Sequence, residues 1–382
     1  MSNRKTSHGT SLLSHVLIGM GFVVAAAALM AALHDSWLVK RLEARNLDSI
    51  FLLLRERPSD DIRVVEIDRA DFHSRFGGVS PLDPGKVADL VRIVDQGGAR
   101  AIGVDIETDD WPAAFRSSIA TRAPVVWVRS VSAENGSEVG PKLGTAGEDV
   151  LQGPPTLTQI DGQVGLYRRW IAQPGDTFIP SFTTEILHAA QSTLSASEPV
   201  VTREEQTEGE RDIPLRVNNA LQNRIFTRDL PATPGTPDFI AGRVFDGKIV
   251  LIGGGFPESR DAYQTAFGPM YGVQILANIV NAEWSHRNFR RAHPFVMVVT
   301  DLVFGLLLVL ATYRFAPVTL WRLLCVFVCI ALLALAMSVG LYWGFAVYIS
   351  FVPVVLGVIA HSIFEHVHHH RRLLKQVAAQ PQ

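Results

Sequence analysis

Asp83–Ile106 reads DPGKVADLVRIVDQGGARAIGVDI, and this stretch decides the fold of the chain's middle. Pro84–Gln96 is a helical pattern with Asp83 as its N-cap, and Gly97-Gly98 stops it. Arg100–Ile106 then reads as a strand. Outward from this unit, Arg63–Asp68 (RVVEID) is a strand before the helix. Trp111–Thr121 is a helix after the second strand, and Pro124–Val131 a third strand. Strand, helix, strand, helix, strand predicts a mostly parallel sheet with crossover helices, an α/β domain.

The rest of the middle is less regular. Ala133–Gln159 is rich in Gly, Pro and Glu and reads as a loop. Gly162–Trp170 is strand material, Phe182–Leu194 a helix, Ser195–Asp212 an exposed insertion and Ile213–Val217 a strand. Lys248–Gly253 (KIVLIG) is a buried strand and Tyr271–Trp284 a helix.

Further out, the chain becomes apolar. Hydrophobic residues make up 48% of its 382 and charged ones 19%, which excludes disorder as the main state. The net charge of −2 gives no basic surplus for a nucleic-acid partner, and two cysteines build no disulfide framework. The apolar excess sits at the ends. Leu12–Leu33 holds no Asp, Glu, Lys or Arg and as a helix reaches about 33 Å, enough for a bilayer core. A cleaved signal peptide is the alternative, since Ala26-Ala27-Ala28 resembles a cleavage site. Phe295–Tyr313 is a second span. Leu323–Phe364 would reach about 60 Å as one helix, so it is expected to fold back at Gly340–Gly344.

Four transmembrane helices result, at 12–33, 294–313, 322–340 and 345–364. Residues 1–11 and 365–382 are then cytoplasmic, and 34–293 form one extracytoplasmic domain. Arg4, Lys5, Arg314, Arg322, Arg371, Arg372 and Lys375 fall on one side, which marks the cytoplasm. Arg287, Arg290 and Arg291 lie on the other side, next to a long translocated segment that escapes the charge rule. The expected location is a bacterial inner membrane, multi-pass, in contact with membrane lipid. Trp37–Arg55 continues as a helix out of the first span, and helical stalks on both sides of the domain suit a homodimer. The cysteines, Cys325 and Cys329, sit one helical turn apart in the third span.

Chemistry gathers past the strand ends. Glu66, Asp68, Asp105, Glu107, Asp109 and Asp110 cluster there, where ligands of open α/β sheets bind. Asp68, Asp105 and Glu107 are candidate ligands for Mg²⁺ or Ca²⁺. The alternative is helix capping and loop solvation, which suits Asp109 or Asp110. Gly253-Gly254-Gly255 reads as a tight turn, because Phe256-Pro257 bars an immediate helix and no P-loop Lys follows. Arg260-Asp261 forms either a structural ion pair or part of a pocket. Asp301, inside the second span, reaches the interface, a partner helix or a proton path. His366, His368, His369 and His370 are a metal tract or, more simply, a headgroup-contacting face. No nucleophile motif and no cofactor motif is present, so neither an enzyme nor a cofactor is expected.

The motif order resembles the CHASE domain of type two, a cyclase/histidine-kinase-associated sensory extracellular domain. The resemblance runs over Asp48–Arg55, Ile62–Asp68, Gly98–Ile106, Asp161-Gly162 with Arg168, Gly247–Gly253, Arg260-Asp261 and Tyr271–Val280. Two positions depart. Ser80–Pro84 replaces a Trp-Pro-x-x-Arg element, and Ile275-Leu276-Ala277 an Ile-His-Ala element. The resemblance implies a sensor of an envelope cue, its small-molecule ligand unidentified. The chain ends at Gln382 without a cyclase or kinase module, so the expected output is a membrane or envelope protein partner acting in trans. The alternatives are a non-catalytic assembly subunit of an envelope complex and a metal-dependent membrane enzyme.

Overall fold

The structure is a computed structural model. It describes residues 9–32, 59–108, 111, 113–129, 150–160, 163–173, 177–194, 213–215, 223–265, 267–285, 290–291, 294–315, 320–345 and 347–348, with 41, 45, 206, 363 and 367 singly. The Trp37–Arg55 helix, the Asp109 or Asp110 cap, the 195–212 insertion, the fourth span and the histidine tract fall almost wholly outside these residues. The chain divides into two units, Arg55–Asn288 and the two ends together.

In chain order the elements begin with α1 (Gly9–Ala32), β1 (Ile62–Asp68), α2 (Arg69–Ser74), α3 (Pro84–Gln96), β2 (Ala101–Asp105), α4 (Ala113–Ser117) and β3 (Val125–Val128). The strands β4 (Leu151–Gly153), β5 (Leu157–Ile160), β6 (Gln163–Tyr167), β7 (Trp170–Gln173) and β8 (Thr177–Pro180) precede α5 (Phe182–Ser192). Then come β9 (Ile213–Pro214), β10 (Arg224–Phe226), α6 (Pro237–Gly242), β11 (Ile249–Gly255), β12 (Ala262–Thr265), β13 (Gly268–Tyr271) and α7 (Gly272–Trp284). The end is β14 (Arg290–Arg291), α8 (Pro294–Phe315), α9 (Leu320–Phe345) and β15 (Val347–Tyr348).

The middle unit is built on a six-stranded sheet in the order β10-β1-β11-β2-β3-β4, parallel at every pairing. Its strands alternate between two apolar layers, as strands covered on both faces must. Val65, Ile67, Ile102, Val104, Trp127, Val250 and Ile252 meet Val87, Leu90, Val91 and Val94 of α3. Ile62, Val64, Ala101, Val126, Ile249 and Leu251 meet Phe182 and Ile186 of α5 and Val273, Leu276 and Val280 of α7. A second sheet, β13-β12-β6-β5 with β9 beside β6, flanks this core, and β7 pairs with β8.

The deciding helix runs over its expected residues. The Asp83 carboxylate accepts the Lys86 amide at 3.2 Å, and Gly98 takes the positive φ of +89° that ends the helix. Its last turn is tied to β3, where Asp95 Oδ1 accepts the Arg122 and Ala123 amides at 3.0 and 2.8 Å. Three expectations change. Leu151–Gly153 is an edge strand rather than loop. The helix expected at Trp111 starts at Ala113, because Trp111 is buried edge-on against Trp127 at 5.9 Å. The helix expected to turn at Gly340–Gly344 continues to Phe345.

In the unit of the two ends, α1 and α8 pack antiparallel through reciprocal glycine–valine contacts. A Cβ at Gly19 would lie 2.5 Å from Val309 Cγ2, and one at Gly305 would lie 2.7 Å from Val23 Cγ1. Backbones meet this closely only where side chains are absent. β14 and β15 pair in parallel, Arg290 with Val347 and Arg291 with Tyr348. Among the described residues no helix is long and apolar enough to cross a membrane.

Close approach also marks the sheet's edge. A Cβ at Gly153 would lie 2.5 Å from the Phe182 backbone nitrogen. Gly153→Ala is therefore expected to destabilise the middle unit by about 1–3 kcal/mol, read from the denaturant midpoint. An unchanged midpoint would remove this packing argument.

Candidate functional site

The carboxyl ends of β1, β11 and β2 form one row. Glu66 stands beside Gly253, and Gly253 beside Asp105. All three positions lie on the α7 face by strand alternation. Gly253–Gly255 is thus strand and not the expected turn, and its glycines answer to what lies over them. A Cβ at Gly253 would lie 2.5 Å from Val273 Cβ, and one at Gly255 would lie 2.2 Å from Glu66 Oε1.

The carboxylates of this edge have different surroundings. Glu66, 2% exposed, accepts Arg224 Nη1 at 3.0 Å and Gln274 Nε2 at 2.7 Å on the same oxygen, Oε2. That ties β10, β1 and α7 together. Asp68 does not join the cleft. It caps α2 by accepting the Asp71 amide at 2.9 Å and pairs with Arg228. Burial pushes its carboxyl up, but the Asp71 amide and Arg228 outweigh this and hold it below the ordinary value.

Asp105, Glu107, Arg260 and Asp261, four of the five residues expected here, do come together. With Arg129 and Pro81 they line a cleft of about 310 Å³ at the sheet's carboxyl edge. Asp261 arrives from the second sheet. The β12–β13 hairpin sets Ala262 opposite Tyr271 and so lays Asp261 against the start of α7. The Gly272 amide donates to the Asp261 backbone carbonyl at 2.8 Å, and a Cβ at Gly272 would meet the Asp261 carboxylate. Tyr263, which the sequence reading did not single out, lies beside the same carboxylate, close enough for the Asp261 charge to raise its phenol. Its signal was the spacing, since i and i+2 share a strand face.

Asp105 is the unsatisfied member. Its Oδ2 is fully buried and has no hydrogen-bond partner among the described residues. Burial raises its carboxyl well above the ordinary 3.8, and the Asp261 charge adds to this. Burial raises Asp261 as well, against the opposing pull of Tyr263 and the Gly272 amide. Tyr263 is raised by burial and then by Asp261. The Mg²⁺ or Ca²⁺ set of Asp68, Asp105 and Glu107 does not form. Among the described residues no three His, Cys, Asp or Glu side chains are placed to hold a metal. The side chain of Asp301, in α8, lies outside the described residues.

Two outcomes follow from this contrast. Glu66→Ala leaves the half-buried Arg224 and the buried Gln274 amide without their carboxylate and is expected to cost about 2–4 kcal/mol of stability by denaturant titration. Asp105 behaves oppositely. The folded state holds its proton more tightly than the unfolded chain, so the stability this proton contributes falls as pH rises past 3.8 and is gone above the raised folded value. Asp105→Asn is expected to melt above the parent at about pH 8, with the gap closing toward about pH 4. A variant that melts lower across this range would show that Asp105 is satisfied.

The CHASE2 domain model matches residues 23–313, from within α1 to within α8. No curated protein and no solved structure matches the sequence. With well over half of its length matched, the chain belongs to the CHASE2 family of extracellular sensory domains.

Proposed function

We propose that this protein is a non-catalytic, integral membrane sensor. Its 34–293 region lies on the periplasmic side, takes a cue at the cleft beside Asp105, and passes the change to a separate membrane partner. The family match carries this reading. It does not stop at the α/β unit but extends into the helices on both flanks.

The helices support the membrane placement. α1, α8 and α9 run for 24, 22 and 26 residues, which is about 36, 33 and 39 Å at 1.5 Å per residue. Many side chains along these helices lie outside the described residues. Those that are described include Leu17 at 63%, Leu29 at 59%, Leu307 at 56% and Leu332 at 59% exposure. Water does not tolerate such an apolar surface, and lipid or a partner helix does. The short-loop arginines set the orientation.

Relay follows from linkage. A cue that binds two conformations unequally shifts their populations by its affinity difference. The cleft shares Asp261 with the first residue of α7, and α7 is the last helix before the chain enters α8. The metal-dependent enzyme alternative lacks a ligand set among the described residues.

Protease added to sealed right-side-out vesicles is expected to cut within 34–293 and, in inverted vesicles, to spare it. The reverse pattern would overturn the placement. A pull-down in mild detergent separates the two roles. A substoichiometric signalling partner supports relay, and a stoichiometric, cue-independent complex supports an assembly subunit.

A further inference from the structure

The cleft contains a charge arrangement that the family assignment does not account for. Two carboxylates from different sheets, Asp105 and Asp261, lie close enough for one to raise the other. Among the described residues neither forms an ion pair. The Asp261 backbone carbonyl accepts the Gly272 amide at 2.8 Å, whereas Asp105 Oδ2 is buried and accepts no hydrogen bond among the described residues. A buried oxygen of this kind is costly unless something else supplies a donor. Arg260 is exposed at the cleft lining, next to Asp261 in sequence.

We propose that the cleft binds an amino-acid-like zwitterion, with its ammonium on Asp105 Oδ2 and the Asp261 carboxylate and its anionic group on Arg260. This rests on reading the cleft as the sensory site. Four features select the class. An ammonium brings three donors and a full positive charge, which suits one empty acceptor beside a second carboxylate. A hard divalent cation needs six or more oxygens, and no three carboxylates converge among the described residues. An arginine at the lining would repel a simple amine and attract one that carries an acid. A cleft of about 310 Å³ is at the small end of ligand sites and suits a molecule of this size.

The test is calorimetry and thermal melting of the full chain in detergent at about pH 8, where both carboxyls are more ionised. The probes are γ-aminobutyrate, L-alanine and L-arginine. The controls are butyrate, butylamine, calcium and magnesium. The zwitterions are expected to bind and to raise the melting temperature by several degrees, with butyrate inert and butylamine weaker. Asp105→Asn is expected to weaken binding by at least about tenfold, and Arg260→Gln to remove the zwitterions' advantage over butylamine. Zwitterions that are inert, or no better than butyrate, would overturn the proposal from the parent protein alone, however the variants fold. So would unchanged affinity in a folded Asp105→Asn. Binding of calcium or magnesium in place of the amines would overturn the ligand class while leaving the cleft a ligand site. The relay reading is judged independently by the pull-down.

Discussion

A glycine with a carboxylate on either side governs this domain. At Gly253 the sheet has no side chain, and the first turn of α7 descends onto the strand there. That descent brings Gln274 to Glu66 and Gly272 to Asp261. A methyl group at 253 would hold α7 away and separate both contacts. The short apolar strands and the Gly-rich carboxyl edge of β11 are therefore one device: the strands supply burial, and the missing side chains let a helix start close to the sheet.

The row on either side of Gly253 divides the electrostatics. Glu66 is compensated by an arginine and an amide, as a buried charge requires. Asp105, on the other side, has no partner for its Oδ2 among the described residues, and the charge that acts on it is that of another acid, Asp261. Structural carboxylates resemble the first. Strain held in an uncompensated group is common where a protein receives something, since selection for binding opposes selection for stability. Asp68 completes the contrast, because a cap and an arginine account for it fully.

Glycines recur in the other unit with the same logic. Gly19 and Gly305 let α1 and α8 approach until each glycine meets a valine.

Much of this was legible in the sequence. The cap at Asp83, the stop at Gly97-Gly98, the strands at 62–68, 101–105 and 249–253 and the helix leading to Trp284 all follow from local periodicity and backbone chemistry. Such signals lie within about a dozen residues and need no partner to be read. Asp105 and Glu107 were found for a similar reason, since residues at the carboxyl ends of parallel strands share one edge. The tertiary structure decided the rest. Asp68 and Asp105 both end a strand with an acid, but only the register of β10 and the position of Arg228 show that the first is neutralised. Gly253–Gly255 looks like a turn until Val273 and Glu66 are seen occupying the space of the missing side chains. Asp261 joins Asp105 only because a hairpin from a second sheet folds it there. Sequence fixes local geometry through short-range sterics, whereas the charge state of a buried acid depends on neighbours far away along the chain.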